Sequence, residues 1–141
     1  MAGKSDYLEA KLLDLVLGAN AFSAPATVYI ALFTAAPSDA GGGTELTGVS
    51  NYVRLAVTNN STNFPNASGT SPTTKSNGTA FTFVTATADW AAGATTIGWV
   101  GVFDAATTGN MLYWAAVTVA KNCLNGDTVS FPIGTLTFTE D

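Results

Sequence analysis

The residue types that do chemistry are scarce in this chain, and the scarcity is selective. There is no histidine among 141 residues and a single cysteine, Cys123. Without histidine no Ser-His-Asp or Cys-His relay can be assembled, and the common ligands of zinc and iron are missing. Cys123 sits in Lys121-Asn122-Cys123-Leu124-Asn125 with no second thiol at metal or redox spacing, so it reads as a small, half-buried hydrophobe. Carboxylates remain. Glycosidases work with two acids, and the β-forming part of the chain holds Asp39, Glu45, Asp89, Asp104 and Asp127. Each lies among Gly, Asn, Ser, Thr or Ala, where an aspartate closes a turn by accepting from backbone amides. Gly41-Gly42-Gly43-Thr44 lacks the lysine and the helix of a phosphate loop. The expectation is a protein with no catalytic residues, no cofactor and no metal.

Charge points the same way. Five Lys or Arg and ten Asp or Glu make 11% of the chain, against about 25% in ordinary soluble domains. Lys4, Lys11, Arg54, Lys75 and Lys121 are scattered, and the net charge is -5, so direct nucleic-acid binding is not expected. Asp6, Glu9 and Asp14 interrupt a stretch that otherwise imitates a signal peptide. No apolar run reaches the roughly 18 residues that span a bilayer, so no membrane partner is expected. The surface must then be made of Thr, Ser, Asn, Gly and Ala on a chain that is 47% hydrophobic. Such a surface suits burial against other subunits.

These sparse groups must be held by a scaffold, and its elements can be read from periodicity. The length fits one domain with a core that needs no disulfide. Residues 1–24 read as a helical segment. Asp6 is the expected N-cap, with Glu9 three residues on, and Leu8, Leu12 and Leu15 share one face. Gly18 is the expected left-handed stop. The bland reading packs this helix over an open end of its own sheet; the sharper one also docks it on a neighbouring subunit. Leu13, Val16 and Leu17 widen the apolar stripe beyond a single contact.

Residues 25–141 read as β. Residues 28–33 suit a buried strand, and 52–58 alternate with Val53, Leu55 and Val57 on one side. Phe81 and Phe83 share a face. Residues 95–103 put Ile97, Trp99 and Phe103 opposite Val100 and Val102. Residues 111–119 put Tyr113 and Val117 opposite Leu112 and Trp114. Val129 with Phe131, and Leu136 with Phe138, mark two more strands. Residues 104–110 form a hairpin loop, and Asn125-Gly126 a second turn. About seven short strands imply an all-β, antiparallel, jelly-roll-like β-sandwich with one N-terminal helix. Strands apolar on both faces suggest that one outer face meets the helix or another chain.

Two polar stretches, 35–51 and 59–78, are longer than ordinary connections. The second carries Phe64 as its only large apolar residue, and neighbouring subunits are expected to order it. The aromatic residues offer a sugar-stacking platform as an alternative to core packing. Trp99 and Trp114 fall in core strands, whereas Trp90, beside Asp89 in a turn, is the candidate for exposure.

Ser5-Asp-Tyr-Leu-Glu-Ala-Lys-Leu-Leu-Asp14, Ala24-Pro-Ala-Thr-Val-Tyr-Ile-Ala-Leu-Phe-Thr-Ala-Ala-Pro37, Thr85-Ala-Thr-Ala-Asp-Trp90, Gly101-Val-Phe-Asp-Ala105, Gly109-Asn-Met-Leu-Tyr-Trp-Ala115 and Gly126-Asp-Thr-Val-Ser-Phe-Pro132 run in order across nearly the whole chain. In these blocks the chain resembles a family of short phage virion proteins often labelled tail fibre proteins. It is similar as well to small β-sandwich proteins that decorate phage capsids as cement trimers. The resemblance implies a non-enzymatic structural protein on the outer capsid surface, a homotrimer bound to the major capsid protein. The alternative is a tail fibre or tail-associated receptor-binding module. Expected contact residues are Tyr7, Leu8 and Leu12 in the N-terminal segment, Phe64 in the long loop, and Trp90.

Overall fold

The computed structural model describes residues 3–140. In chain order the elements are β1 (Gly3–Lys4), α1 (Asp6–Leu17), β2 (Thr27–Ala35), β3 (Thr44–Glu45), β4 (Leu55–Thr58), β5 (Thr73–Ser76), β6 (Phe81–Thr82), β7 (Ile97–Phe103), β8 (Met111–Lys121), β9 (Ser130–Phe131) and β10 (Thr137–Glu140). The fold is all-β and antiparallel with one N-terminal helix. Six strands form the main sheet in the order β1-β8-β7-β2-β3, with β4 also on β2. β3 and β4 lie along the same edge of β2, one facing Phe33 to Ala35 and the other facing Thr27 to Ile30. Two short ladders, β5 with β10 and β6 with β9, form the opposing layer.

The β2 sequence explains its place at the centre. Val28, Ile30 and Leu32 point into the main core, while Ala31 and Phe33 belong to a smaller core on the other face. A strand covered on both faces reads as a continuous apolar run. On that second face this chain's own Phe103 and Met111 pack with Ala31 and Phe33, flanked by Tyr29, Trp99 and Trp114. Phe33 and Phe103 stack with ring centres 6.2 Å apart and planes 12° from parallel. Gly101 makes room for them: a Cβ there would lie 2.9 Å from a Phe33 ring carbon and 3.0 Å from one of Phe103.

Two irregularities redirect side chains that strict alternation misplaces. Val102 faces Tyr113 but Phe103 faces Met111, so β8 carries an extra residue at Leu112. Leu112 and Tyr113 therefore both reach the main core, and Met111 and Trp114 the small one. A second shift, between Ile97 and Trp99, sends Ile97 to the main core rather than to the face of Trp99.

The N-terminal segment is part of the sheet. Gly3 and Lys4 pair with Trp114 and Tyr113, and Leu8 joins the main core. Ser5, not Asp6, caps α1: its Oγ accepts from the Leu8 amide at 3.2 Å and donates to the Met111 carbonyl. Gly18 ends the helix with φ -121°, and the left-handed residue is Ala19 at φ +55°.

The 59–78 segment is ordered by its own chain. Phe64 is buried edge-on against Phe81 and Phe138. Asn60 Oδ1 accepts from the amides of Thr62 and Asn63, and Asn63 bonds Thr58 and Thr79. Thr73–Ser76 joins the β10 ladder. Asn77 is fully buried; its Nδ2 donates toward the carbonyls of Thr79, Phe131 and Pro132, and its Oδ1 accepts from the Leu136 amide. Side-chain amides replace the apolar anchors that this stretch lacks.

Candidate interaction surface

Leu8, Leu12 and Val16 follow at four-residue intervals and share one side of α1. Their exposure rises along the helix: Leu8 is 5% exposed, Leu12 is partly buried and Val16 is 75% exposed. The last turn therefore overhangs the β-layer. Leu13 and Leu17, 61% and 81% exposed, complete a bare apolar ridge. No charged residue occurs between Leu15 and Pro25.

Beside the ridge lies an apolar cleft of about 330 Å³. It is lined by Leu8 and Leu12 of α1, by Phe22 and Pro25 in the chain that follows, and by Phe64 and Ala67. Polar groups stand at its rim. Lys75 and Glu140 face it, and Glu140 accepts from Tyr113 Oη at 3.3 Å and from Lys4 Nζ. The hydrogen bond to Glu140, above all, raises the Lys4 ammonium above its ordinary pKa.

The five residues expected to form contacts separate into two groups. Tyr7 and Leu12 lie partly exposed on α1, with the Lys11 ammonium 5.6 Å from the centre of the Tyr7 ring. Leu8, Phe64 and Trp90 are buried; Leu8 and Phe64 reach the outside only as lining of the cleft, and Trp90 does not line it. Trp90 is 3% exposed, with its ring edge-on to Tyr52 at 5.3 Å and to Phe83 at 6.4 Å. Its neighbours in sequence look like a turn because they are one, yet the isolated bridge between Ala91 and Cys123 turns the indole inward. No platform of exposed tryptophans forms around it.

Arg54 was invisible as an organising residue. From sequence it is a lone cation on the solvent side of an alternating strand. In the fold its Nε and Nη2 grip Glu45 at 2.8 and 2.7 Å, and its Nη1 donates to the carbonyls of Ala105 and Thr108. It lines a polar groove of about 600 Å³ with Gly41, Gly42 and Gly43, but four of its five N–H groups are already spent. The acids are engaged as well. Asp39 accepts from Trp114 Nε1, Asp89 from the Asn125 amide, Asp127 from the Leu124 amide, and Asp104 from both nitrogens of Asn110. Burial, ahead of Asp127 and Asp89, pushes the Cys123 thiol up, away from the thiolate that reacts.

The fold and surface define a small all-β module whose exposed apolar residues concentrate on an overhanging helix beside a cleft. A family model described as "Podophage GP4 fiber I protein gp80" matches residues 3–139, nearly the whole chain. The protein belongs to this Gp80 family and is a phage virion structural protein. No curated protein matches the chain.

Proposed function

We propose that the chain is a non-enzymatic building block of the phage particle, seated by burial of the apolar surface around α1. The observation that carries this reading is the bare ridge of Leu13, Val16 and Leu17 next to an apolar cleft, on a chain with only 15 charged residues. Exposed apolar patches of this kind mark interaction sites. The acids of the β region and the one cysteine, by contrast, have structural partners or are buried. Repetition of one weak contact over many copies adds avidity.

Within the particle, the family description favours placement at a fibre or tail, where the module contributes to attachment or receptor binding. A second reading is capsid decoration: a homotrimer on the outer shell that clamps adjacent major capsid proteins. The two-layered antiparallel body formed by the described residues supports that reading. Copy number per virion, measured by quantitative mass spectrometry, separates the two. A few to dozens supports the fibre, and hundreds supports the shell. Absence from purified virions would sink both.

A further inference from the structure

We propose that the overhanging half of α1 docks in the apolar cleft of a second copy of this chain. The inference deepens the structural role proposed above and takes its setting from it. Three observations point to a second copy rather than a foreign partner. First, ridge and cleft occur on the same molecule and share a helix, since Leu8 and Leu12 line the cleft while Leu13, Val16 and Leu17 form the ridge. Each copy can thus give and receive. Second, the sizes agree. A cavity of roughly 150 Å³ accepts one benzene-sized group, so 330 Å³ accommodates about two branched side chains of the ridge. Third, the charges are complementary. Asp14 is exposed on α1, Lys75 stands at the cleft rim, and neither has an ion-pair partner among the described residues.

The area is adequate. The exposed residues of the last helical turns present on the order of 400 Å² of apolar surface. A copy that also covers its cleft buries roughly twice that, near the 800 Å² per partner of a stable interface. Exchange of this kind gives a closed dimer or ring of identical contacts where the rotation between copies closes.

The test begins with the mass of the intact purified chain by light scattering at micromolar concentration. A whole-number multiple of the 14.4 kDa protomer is expected. Leu13→Asp and Leu17→Asp should each lower that mass to one protomer while leaving the far-ultraviolet circular dichroism of the folded protomer unchanged, because both side chains are exposed in the protomer. To locate the seat, Leu17→Cys copies are mixed with Ala67→Cys copies and oxidised. A cross-link between the two kinds of copy is expected, with buried Cys123 inert. A monomeric intact chain, aspartate variants that stay oligomeric, or an oligomer that fails to cross-link would each overturn the inference. A monomer that still joins virions removes this inference alone. An oligomer of this kind that is absent from virions removes the structural role alone.

Discussion

The Arg54 guanidinium lies 3.6 Å from the centre of the Phe103 ring while two of its nitrogens close a fork on Glu45. One side chain thus joins β3, the residue just before β4 and the 104–110 hairpin over the small core. A planar, delocalised cation can stack and fork at once; an ammonium cannot. Arg54→Ala strands Glu45 in a mostly buried site and should cost about 3 kcal/mol, the lower end for a broken buried pair. Arg54→Lys should recover less than half of that. Urea unfolding of the two variants measures both, and a neutral Arg54→Lys would refute the stacking argument.

Asn77 is the densest polar junction of the opposing layer. Asn77→Asp keeps its size but removes the amide donor from three carbonyls, and it sets a carboxylate against them. A loss of at least about 3 kcal/mol is expected, since buried groups left unpaired cost 1–3 kcal/mol each. Limited proteolysis should then cut within 59–78, because that stretch has few apolar anchors. An unchanged cleavage pattern would contradict its self-ordering.

Trp90 and Leu17 make opposite predictions. Trp90→Ala empties a site between Tyr52 and Phe83 and should cost about 3–5 kcal/mol, or about 9–25 °C in midpoint at roughly 3–5 °C per kcal/mol for this length. Leu17→Asp should reduce association while the protomer keeps its fold, so its midpoint should fall only by the stabilisation that association supplies. Deleting residues 1–20 cannot separate these effects, because it removes the Ser5 cap, β1 and core Leu8 together with the ridge.

Alkaline pH should loosen the fold in a defined window. Burial first, and then the Glu140 carboxylate, push the Tyr113 phenol up to about 12. In the unfolded chain a tyrosine ionises near 10. The folded state thus holds the proton longer, and its stabilising contribution is complete below about pH 10. It is lost as pH rises through about 12. Burial raises Tyr52 in the same direction. Tyr113→Phe should flatten the decline in stability between about pH 10 and 12, measured by denaturant melts across that range. An equally steep decline in the variant would show that other groups carry it.

Strands were legible wherever local composition and neighbours agreed. The run from Val28 to Phe33 became the central strand, and Asp104 to Asn110 became a hairpin loop closed by the bonds between those two residues. Alternation failed at Leu112 and Ile97, where a bulge or register shift breaks the period of two on which it depends. The helix was recognisable, but its cap was misassigned by one residue. Asp6 and Ser5 are both good caps in isolation. Pairing of Lys4 with Tyr113, and the Ser5 amide bond to the Leu112 carbonyl, hold Ser5 as the residue before the first turn.

Composition and periodicity by themselves determined the chemical character of this protein: β-rich, sparing in charge, without histidine, one amphipathic helix at the front. Those properties are sums over residues or short windows, so no fold is needed to read them. Tertiary structure alone decided which apolar residues face water. Phe64 and Trp90 are drawn inward by Phe81, Tyr52 and Phe138, 17 to 74 positions away, while Leu13 and Leu17 are left bare. Burial is set by what lies opposite, and only the closed chain brings opposite surfaces together.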